Sequence, residues 1–425
     1  MEASWTNGVG SLELRVVVSN GIDILSGMRI LHAADLHLDS PLRSVALRDP
    51  DLGDRLRTAS RDVLRQIVDL AIEHQVDALV LAGDLFDNGV PDVSARTVLS
   101  MALSRLGAVG IPVIMIRGNH DGLLDHARYG PLGENVILLD KERPSVDIGG
   151  MSFHGLSHGG QPETRSFLPR YPAPVPGRIN VGVMHCSPDG ASGHDPYAPC
   201  SVSELLGHGY DYWALGHIHK RQEWRVDGAL AVMAGIPQGR HIREANGGSV
   251  TLVEIDGLGA RAKAIPVELV AFREVELPMP ADEAQDTQAD RVREALAAAR
   301  AGDVPTVLRV ALSGPGAQAF SARSGEAAGF LGVLAEDIEG LHLDRVMVRA
   351  GQLPNAPALV GDLAAAMREE AKNPGFRDEA ERMLTDLRDV LPGELREMLD
   401  PAELDALIEE GLAAVTARLT QAERT

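Results

Sequence analysis

The chain alternates short apolar runs with amphipathic stretches, and several of the apolar runs end on a polar cluster. Residues 28–34, 76–82, 113–116, 179–184 and 210–215 are short, predominantly apolar runs, the pattern of strands buried on both faces. Between the first two, residues 52–74 place Leu56, Val63, Ile67, Leu70 and Ala71 at helical spacing, and residues 94–106 repeat the pattern. Strand, helix, strand, helix, strand over residues 28–125 predicts a parallel core. The chain changes character between Gly130 and Gly177, where Pro-rich residues 165–176 read as an irregular excursion. Strands resume at Ile179, Tyr210, Leu230, Ser249 and Arg261, which predicts two stacked sheets flanked by helices.

Near Pro278 and Pro280 the composition shifts to Ala, Asp, Glu and Gln, so a catalytic-size domain is expected over 28–278. Residues 1–27 read as an N-terminal extension. Residues 279–353 read as a small α/β module, with helices at 290–300 and 327–339 and strands at 306–312 and 341–349. Residues 354–425 read as a helical tail broken at Pro374–Gly375, Pro392–Gly393 and Pro401. In that tail Met383, Leu384, Leu387 and Leu391 line one helical face, and Leu404, Leu407, Ile408, Leu412 and Val415 line the next. Such faces suit either a partner or the chain's own body.

Bulk properties narrow the class. A hydrophobic share of 44% and a mean hydropathy of −0.04 fit a globular chain, and 425 residues exceed one typical domain. No run approaches the ~18 apolar residues of a membrane span, so no membrane association is expected. With only Cys186 and Cys200, a disulfide framework is not expected and a reducing cytoplasm is the default location. The net charge of −21 argues against binding nucleic acid over the whole surface. From Glu268 onward there are 30 acidic and 16 basic residues, so the first part of the chain is nearer neutrality.

The polar clusters then carry the chemistry. They are Asp35-Leu36-His37, Gly83-Asp84 with Asp87 beyond, Gly118-Asn119-His120-Asp121, His185, and Gly216-His217-Ile218-His219. Residues just past the carboxyl ends of strands converge in the crevice of an α/β sheet. Asp35 and His37, at i and i+2 of an extended segment, lie on one side. A carboxylate after the buried run before Asp84 must be paired, hydrogen-bonded or metal-bound, unless it caps the next helix. Gly118 is expected to permit a tight turn, Asn119 to offer a neutral oxygen, His120 to donate a proton, and Asp121 to orient the His120 ring. Carboxylates, imidazoles and an amide meeting at one point suit a pair of divalent metals. A phosphate-cradling P-loop does not occur, so the chain is not expected to hydrolyse ATP alone.

In this order the motifs resemble the calcineurin-like metallophosphoesterase superfamily over residues 28–267. Within it, the strings at His32–Leu42, His194–Ser201, Gly216–Gln222 and Pro237–Glu244 are similar to YhaO-type bacterial DNA repair exonucleases, relatives of the SbcD nuclease subunit. The resemblance implies a four-layer α/β/β/α sandwich with a small α/β cap and a helical tail, and two divalent ions, Mn²⁺ being expected. It implies Asp35, His37, Asp84 and His219 on one ion, and Asp84, Asn119, His185 and His217 on the other. It makes His120 the catalytic histidine, Asp121 its support, and Arg240 and His241 candidate phosphate contacts. Ile236 departs from the more polar residue expected in that loop. The implied activity is exonuclease or endonuclease cleavage of DNA in repair, with DNA and an SbcC-like or YhaN-like coiled-coil ATPase as partners; a homodimer stays open. A small-molecule phosphodiesterase or phosphatase would share every ligand, and a non-catalytic scaffold subunit is the third alternative. Cys186 is read as core packing, and His154, His158 and His194 as structural.

Overall fold

A computed structural model describes residues 27–38, 40, 50–86, 93–122, 132–159, 163–189, 197–245, 247–280, 284–300, 302–314, 316–317, 320, 327–349 and 358–390, with residues 404, 407–408, 411–412 and 415 beyond. Asp87, His194 and the expected extension 1–26 lie outside these residues. Two six-stranded sheets form the body. The first contains β1 (Met28–Ala33), β2 (Ala78–Ala82), β3 (Val113–Ile116) and β4 (Val136–Leu138), all parallel. Two strands, β11 (Ser249–Asp256) and β12 (Gly259–Pro266), extend it antiparallel on the β1 side. The second sheet runs β5 (Ser145–Ile148), β6 (Met151–Gly155), β7 (Ile179–His185), β8 (Tyr212–Gly216), β10 (Ala229–Met233), β9 (Gln222–Val226), with β6, β7, β8 and β10 parallel.

The layers follow from alternation along each strand. Along β1 and the residue that follows it, Ile30 and Ala34 turn inward to meet Phe153, Val183, Ala214 and Val232 of the other sheet, while Leu31 and Ala33 turn outward. The outward face packs on α1 (Pro50–Glu73) and α2 (Val93–Ala108) through Val63, Ile67, Leu99 and Leu103. The far face of the second sheet carries Met184, Trp213 and Leu215 against Leu205 and Leu206 of α3 (Val202–Gly207). This is the four-layer α/β/β/α arrangement that the alternation and the resemblance imply.

A third sheet, β13 (Ala271–Pro278), β14 (Thr306–Ser313) and β15 (Leu341–Val348), is parallel throughout. Its core includes Val292 and Leu296 of α4 (Gln285–Ala299) and Leu331 and Leu334 of α5 (Ala327–Glu336). The strand just ahead of the expected division at 279 thus pairs across it, residue for residue from Ala271↔Thr306 to Pro278↔Ser313. The third sheet begins at Ala271, because a parallel ladder ties β13 to β14. Phe272 and Val307 also meet Leu52 and Leu56 of α1, and Ile242. Two helices follow, α6 (Ala358–Ala371) and α7 (Pro374–Val390). Leu363, Phe376, Met383, Leu387 and Val390 are exposed on them. Among the described residues no helix is long and apolar enough to cross a membrane.

Candidate metal centre

Past the last paired residues of β1 and β2 the two chains remain joined. Asp35 N–H donates to the Gly83 carbonyl (3.0 Å), His37 N–H to Asp84 (3.1 Å) and Leu38 N–H to Leu85 (2.8 Å). Here the backbone leaves the strand conformation. Asp35 (φ 54°), His37 (42°), Asp84 (52°) and His217 (105°) all occupy positive φ. Such conformations in residues other than glycine cost roughly 1–3 kcal/mol each and cluster at functional sites. Gly83 shares the conformation at φ +94°. Gly118 does not, so the tight-turn role expected for it is corrected. A Cβ there would stand 2.1 Å from Asp84 Oδ1 and 2.7 Å from Asp84 N, so space is what demands glycine.

Two clusters result. Asp35, His37 and His219 each offer one ligand atom, and all three atoms lie within 4.8 Å of one another; Asp84, His185 and His217 do the same. In the first, His37 Nε2 and His219 Nε2 face each other at 3.2 Å. His219 Nδ1–H donates to Glu244 Oε1 (2.7 Å), which leaves its Nε2 lone pair toward that point. In the second, Asn119 Oδ1 stands 2.9 Å from His185 Nε2 and 3.0 Å from His217 Nδ1, while Asp84 Oδ2 is 3.2 Å from His185 Nε2. His185 Nδ1–H donates to the Ala82 carbonyl (2.9 Å), so in its neutral form Nε2 is the free ligand atom. Atoms that bind one ion at about 2.0–2.2 Å stand about 3–4 Å apart, so both sets fit a divalent cation. Asp84 belongs by these distances to the second cluster.

The electrostatics agree with that fit. Asp35, Asp84 and Asp121 are essentially fully buried, a costly arrangement without compensating positive charge. Burial opposes ionisation of Asp84, yet His185, His37 and His120 beside it hold its carboxyl well below the usual range. Burial likewise disfavours a charged His185, but Asp84 and Asp35 push its imidazole up to about 9. The same buried position, with His185 Nε2 between Asp84 and Asn119, is one where a divalent ion would supply the positive charge.

The structure brings together every residue expected to bind metal. His120 lies beside them, its ring 5.0 Å from that of His37, edge to face, and its N–H on Asp84 Oδ1 (2.9 Å). Asp121 takes a different part from the one expected. Its carboxylate accepts from Gly118 N–H (2.6 Å) and Leu85 N–H (2.9 Å), so it staples two ligand-bearing loops. Burial and the nearby Asp84 push that carboxyl up to about 7. Arg240, expected as a candidate phosphate contact, lies against Glu244. Its guanidinium grips Glu244 (Nη2–Oε1 2.7 Å, Nε–Oε1 3.1 Å), and His241 Nε2 lies 3.7 Å from the same oxygen. Ile236 is buried and donates its N–H to the His219 carbonyl (2.9 Å). His158 Nε2–H donates to the His185 carbonyl (2.7 Å), and His154 stacks on Tyr210 at 4.7 Å. Cys186 and Cys200 are buried free thiols in the outer core of the second sheet. Glu244 escaped the sequence reading. Its only signal was a carboxylate four residues after an arginine in a loop otherwise read for phosphate contacts.

Residues 28–221 match the family model of the calcineurin-like phosphoesterases. Over those residues the chain carries a calcineurin-like metallophosphoesterase domain. It is similar to metallophosphoesterase YhaO of Bacillus subtilis (strain 168), at 33% identity over 240 residues, 55% of this chain and 58% of the relative. It is also similar to the DNA double-strand break repair protein Mre11 of Saccharolobus solfataricus, at 31% identity over 222 residues, 49% of this chain and 54% of the relative. A solved structure, TT1561 of Thermus thermophilus, aligns with a TM-score of 0.34 and 12% identity over 56% of this chain and 99% of that one. The matched segments span a little more than half the length of these curated relatives, 58% and 54%.

Proposed function

We propose that this chain is a two-metal-dependent nuclease that hydrolyses DNA phosphodiester bonds, as exonuclease or endonuclease, in DNA repair in the cytoplasm. The observation that carries the metal part is the meeting of seven side chains from five strand ends in two ligand clusters. Similarity to a double-strand break repair protein supports DNA as the substrate. Asp35, His37 and His219 would hold one ion, and Asn119, His185 and His217 the other, with Asp84 shared and Mn²⁺ as the metal. Bound there, the ions would place positive charge on the phosphate oxygens and acidify a water. His120, anchored through its backbone to Asp84, is the group that stabilises developing charge or protonates the leaving alkoxide. The third sheet with its helices, residues 279–353 and the β13 strand before them, would face DNA. The helical tail, 354–425, would dock a coiled-coil ATPase of SbcC-like or YhaN-like type.

The test is full-length protein with Mn²⁺, incubated with end-labelled DNA of defined ends and, in parallel, with small phosphodiesters. The expected result is a DNA product ladder that disappears with chelator and in Asp84→Ala. Hydrolysis of small diesters alone would assign a small-molecule phosphodiesterase. Two bound ions without turnover of either substrate would assign a scaffold.

A further inference from the structure

One 3-10 turn, Ile242–Glu244, faces two ways. On one side Ile242 enters the apolar cluster formed by Leu52 and Leu56 of α1 with Val270, Phe272 and Val307. On the other, Glu244 places Oε1 2.7 Å from His219 Nδ1, with only 4% of its side chain exposed. A carboxylate buried that far needs donors. Arg240 supplies three, its backbone N–H to Oε2 (2.6 Å), its Nη2 to Oε1 (2.7 Å) and its Nε to Oε1 (3.1 Å). Glu244 is thereby held at both ends, by the arginine clamp and by the anchored turn.

His219 needs that rigidity more than its counterpart in the second cluster. The His219 side chain is 22% exposed, whereas that of His185 is fully buried with its Nδ1–H on a strand carbonyl. A neutral imidazole carries its proton on one nitrogen, and the partner of that nitrogen decides which. We propose that Glu244 is a positioning residue for the first ligand cluster. It fixes His219 as the Nδ1–H tautomer and aims Nε2 at His37. Without Glu244 the ring is free to turn over or to move its proton, and either change removes the lone pair facing His37 Nε2 at 3.2 Å. The inference rests on the two-metal reading above, but its first measurement needs no metal.

Full-length, metal-free protein labelled with ¹⁵N at histidine is observed by NMR in the alkaline range where the ring is neutral. The His219 signals are assigned by their loss in His219→Ala. Wild type should show the Nδ1–H tautomer, and Glu244→Ala should lose it. Calorimetric titration with Mn²⁺ follows on the same proteins. Wild type should bind two ions, and Glu244→Ala should weaken one of them by ~10–100-fold while the other keeps its affinity. Glu244→Gln can still accept from Nδ1–H through its amide oxygen, yet it loses the ion pair with Arg240. It should keep the tautomer and fall between the two. An Nε2–H tautomer in wild type overturns the inference, as does wild-type affinity for both ions in Glu244→Ala. Should Glu244→Ala fail to fold, Glu244→Gln decides: intermediate weakening of one ion supports the role and unchanged affinity overturns it. Wild type that shows the expected tautomer but binds fewer than two ions defeats the two-metal reading itself, and the role given to Glu244 falls with it.

Discussion

Gly118→Ala adds one methyl group at the point where two ligand loops touch. The new Cβ would lie 2.1 Å from Asp84 Oδ1, about 1.3 Å short of the 3.4 Å at which ordinary contact begins, and about 0.7 Å short of it against Asp84 N. The carboxylate can rotate, but the backbone nitrogen is fixed by the ladder that joins Asp84 to His37. The methyl must therefore displace the ligand itself and disturb the His120 N–H bond to Asp84 Oδ1. Overpacking of this kind costs about 1–3 kcal/mol of stability. A misplacement of about 1 Å in a catalytic constellation costs roughly 10²-fold in rate. The expected outcome is a fall of about two orders of magnitude in Mn²⁺-dependent phosphodiester hydrolysis, with weakened binding of the ion held by Asp84, while urea unfolding shows only the modest loss. Gly182→Ala is the matched control. Its Cβ would strike the buried Trp213 ring at 2.2 Å, in the outer core away from the ligands. It should lose stability without losing turnover per folded molecule. Gly118→Ala with wild-type turnover and two tightly bound ions would refute the reasoning.

Other expectations concern chemistry, pH and the tail. His120→Asn should lower turnover by ~10²–10⁴-fold with metal content nearly unchanged in the same sample; a parallel loss of metal would make His120 a ligand or a support. Burial, aided by the Arg221 charge, holds the His32 imidazole down at about 3 from an ordinary 6.5. A depressed folded value means that the associated stability is present above pH 6.5 and drains away as pH falls toward 3, by up to about 5 kcal/mol through linkage. In His32→Gln, which can keep a hydrogen bond to Tyr212, the acid limb of a stability–pH curve from chemical denaturation should be shallower than in wild type; coincident limbs would rule this out. The five apolar clusters draw on no described residue of α6 or α7. A chain ending before residue 354 should thus keep its thermal midpoint and its Mn²⁺ binding, yet fail to co-purify with a coiled-coil ATPase; unfolding of the shortened chain would show that the tail serves its own body.

The parallel core was legible because its strands are apolar on both faces. Residues 113–116 were read with their observed limits, and β1, β7 and β8 within about two residues. The exposed strand β9, Gln222–Val226, offers no such run, and β13 interleaves Arg273, Glu274 and Glu276 with its apolar residues. Both are defined by their partners rather than by their own pattern. The candidate ligand residues were legible because each follows a buried strand. What supports them was not. Asp121 was assigned to its sequence neighbour His120, but its carboxylate reaches Leu85, thirty-six positions earlier. Arg240 read as a candidate phosphate contact, and only the fold sets Glu244 against it. Such partners are chosen in three dimensions, among groups that local spacing does not single out.

The ladder that continues past β1 and β2 has a dynamic corollary. Three hydrogen bonds couple the segment bearing Asp35 and His37 to the one bearing Asp84, and the Asp121 staple extends that coupling to the Gly118 loop. When the sheet edge fluctuates, these ligands travel together, so the motion is common to them and their mutual separations are conserved. His185 and His217 arrive from the second sheet but are tied back to the first through the Ala82 carbonyl and the Asp35 carboxylate, whereas His219 is held by Glu244 on the Ile242–Glu244 turn. Vibrational noise in the spacing between the clusters should concentrate there, with the rest of the frame moving as one plate.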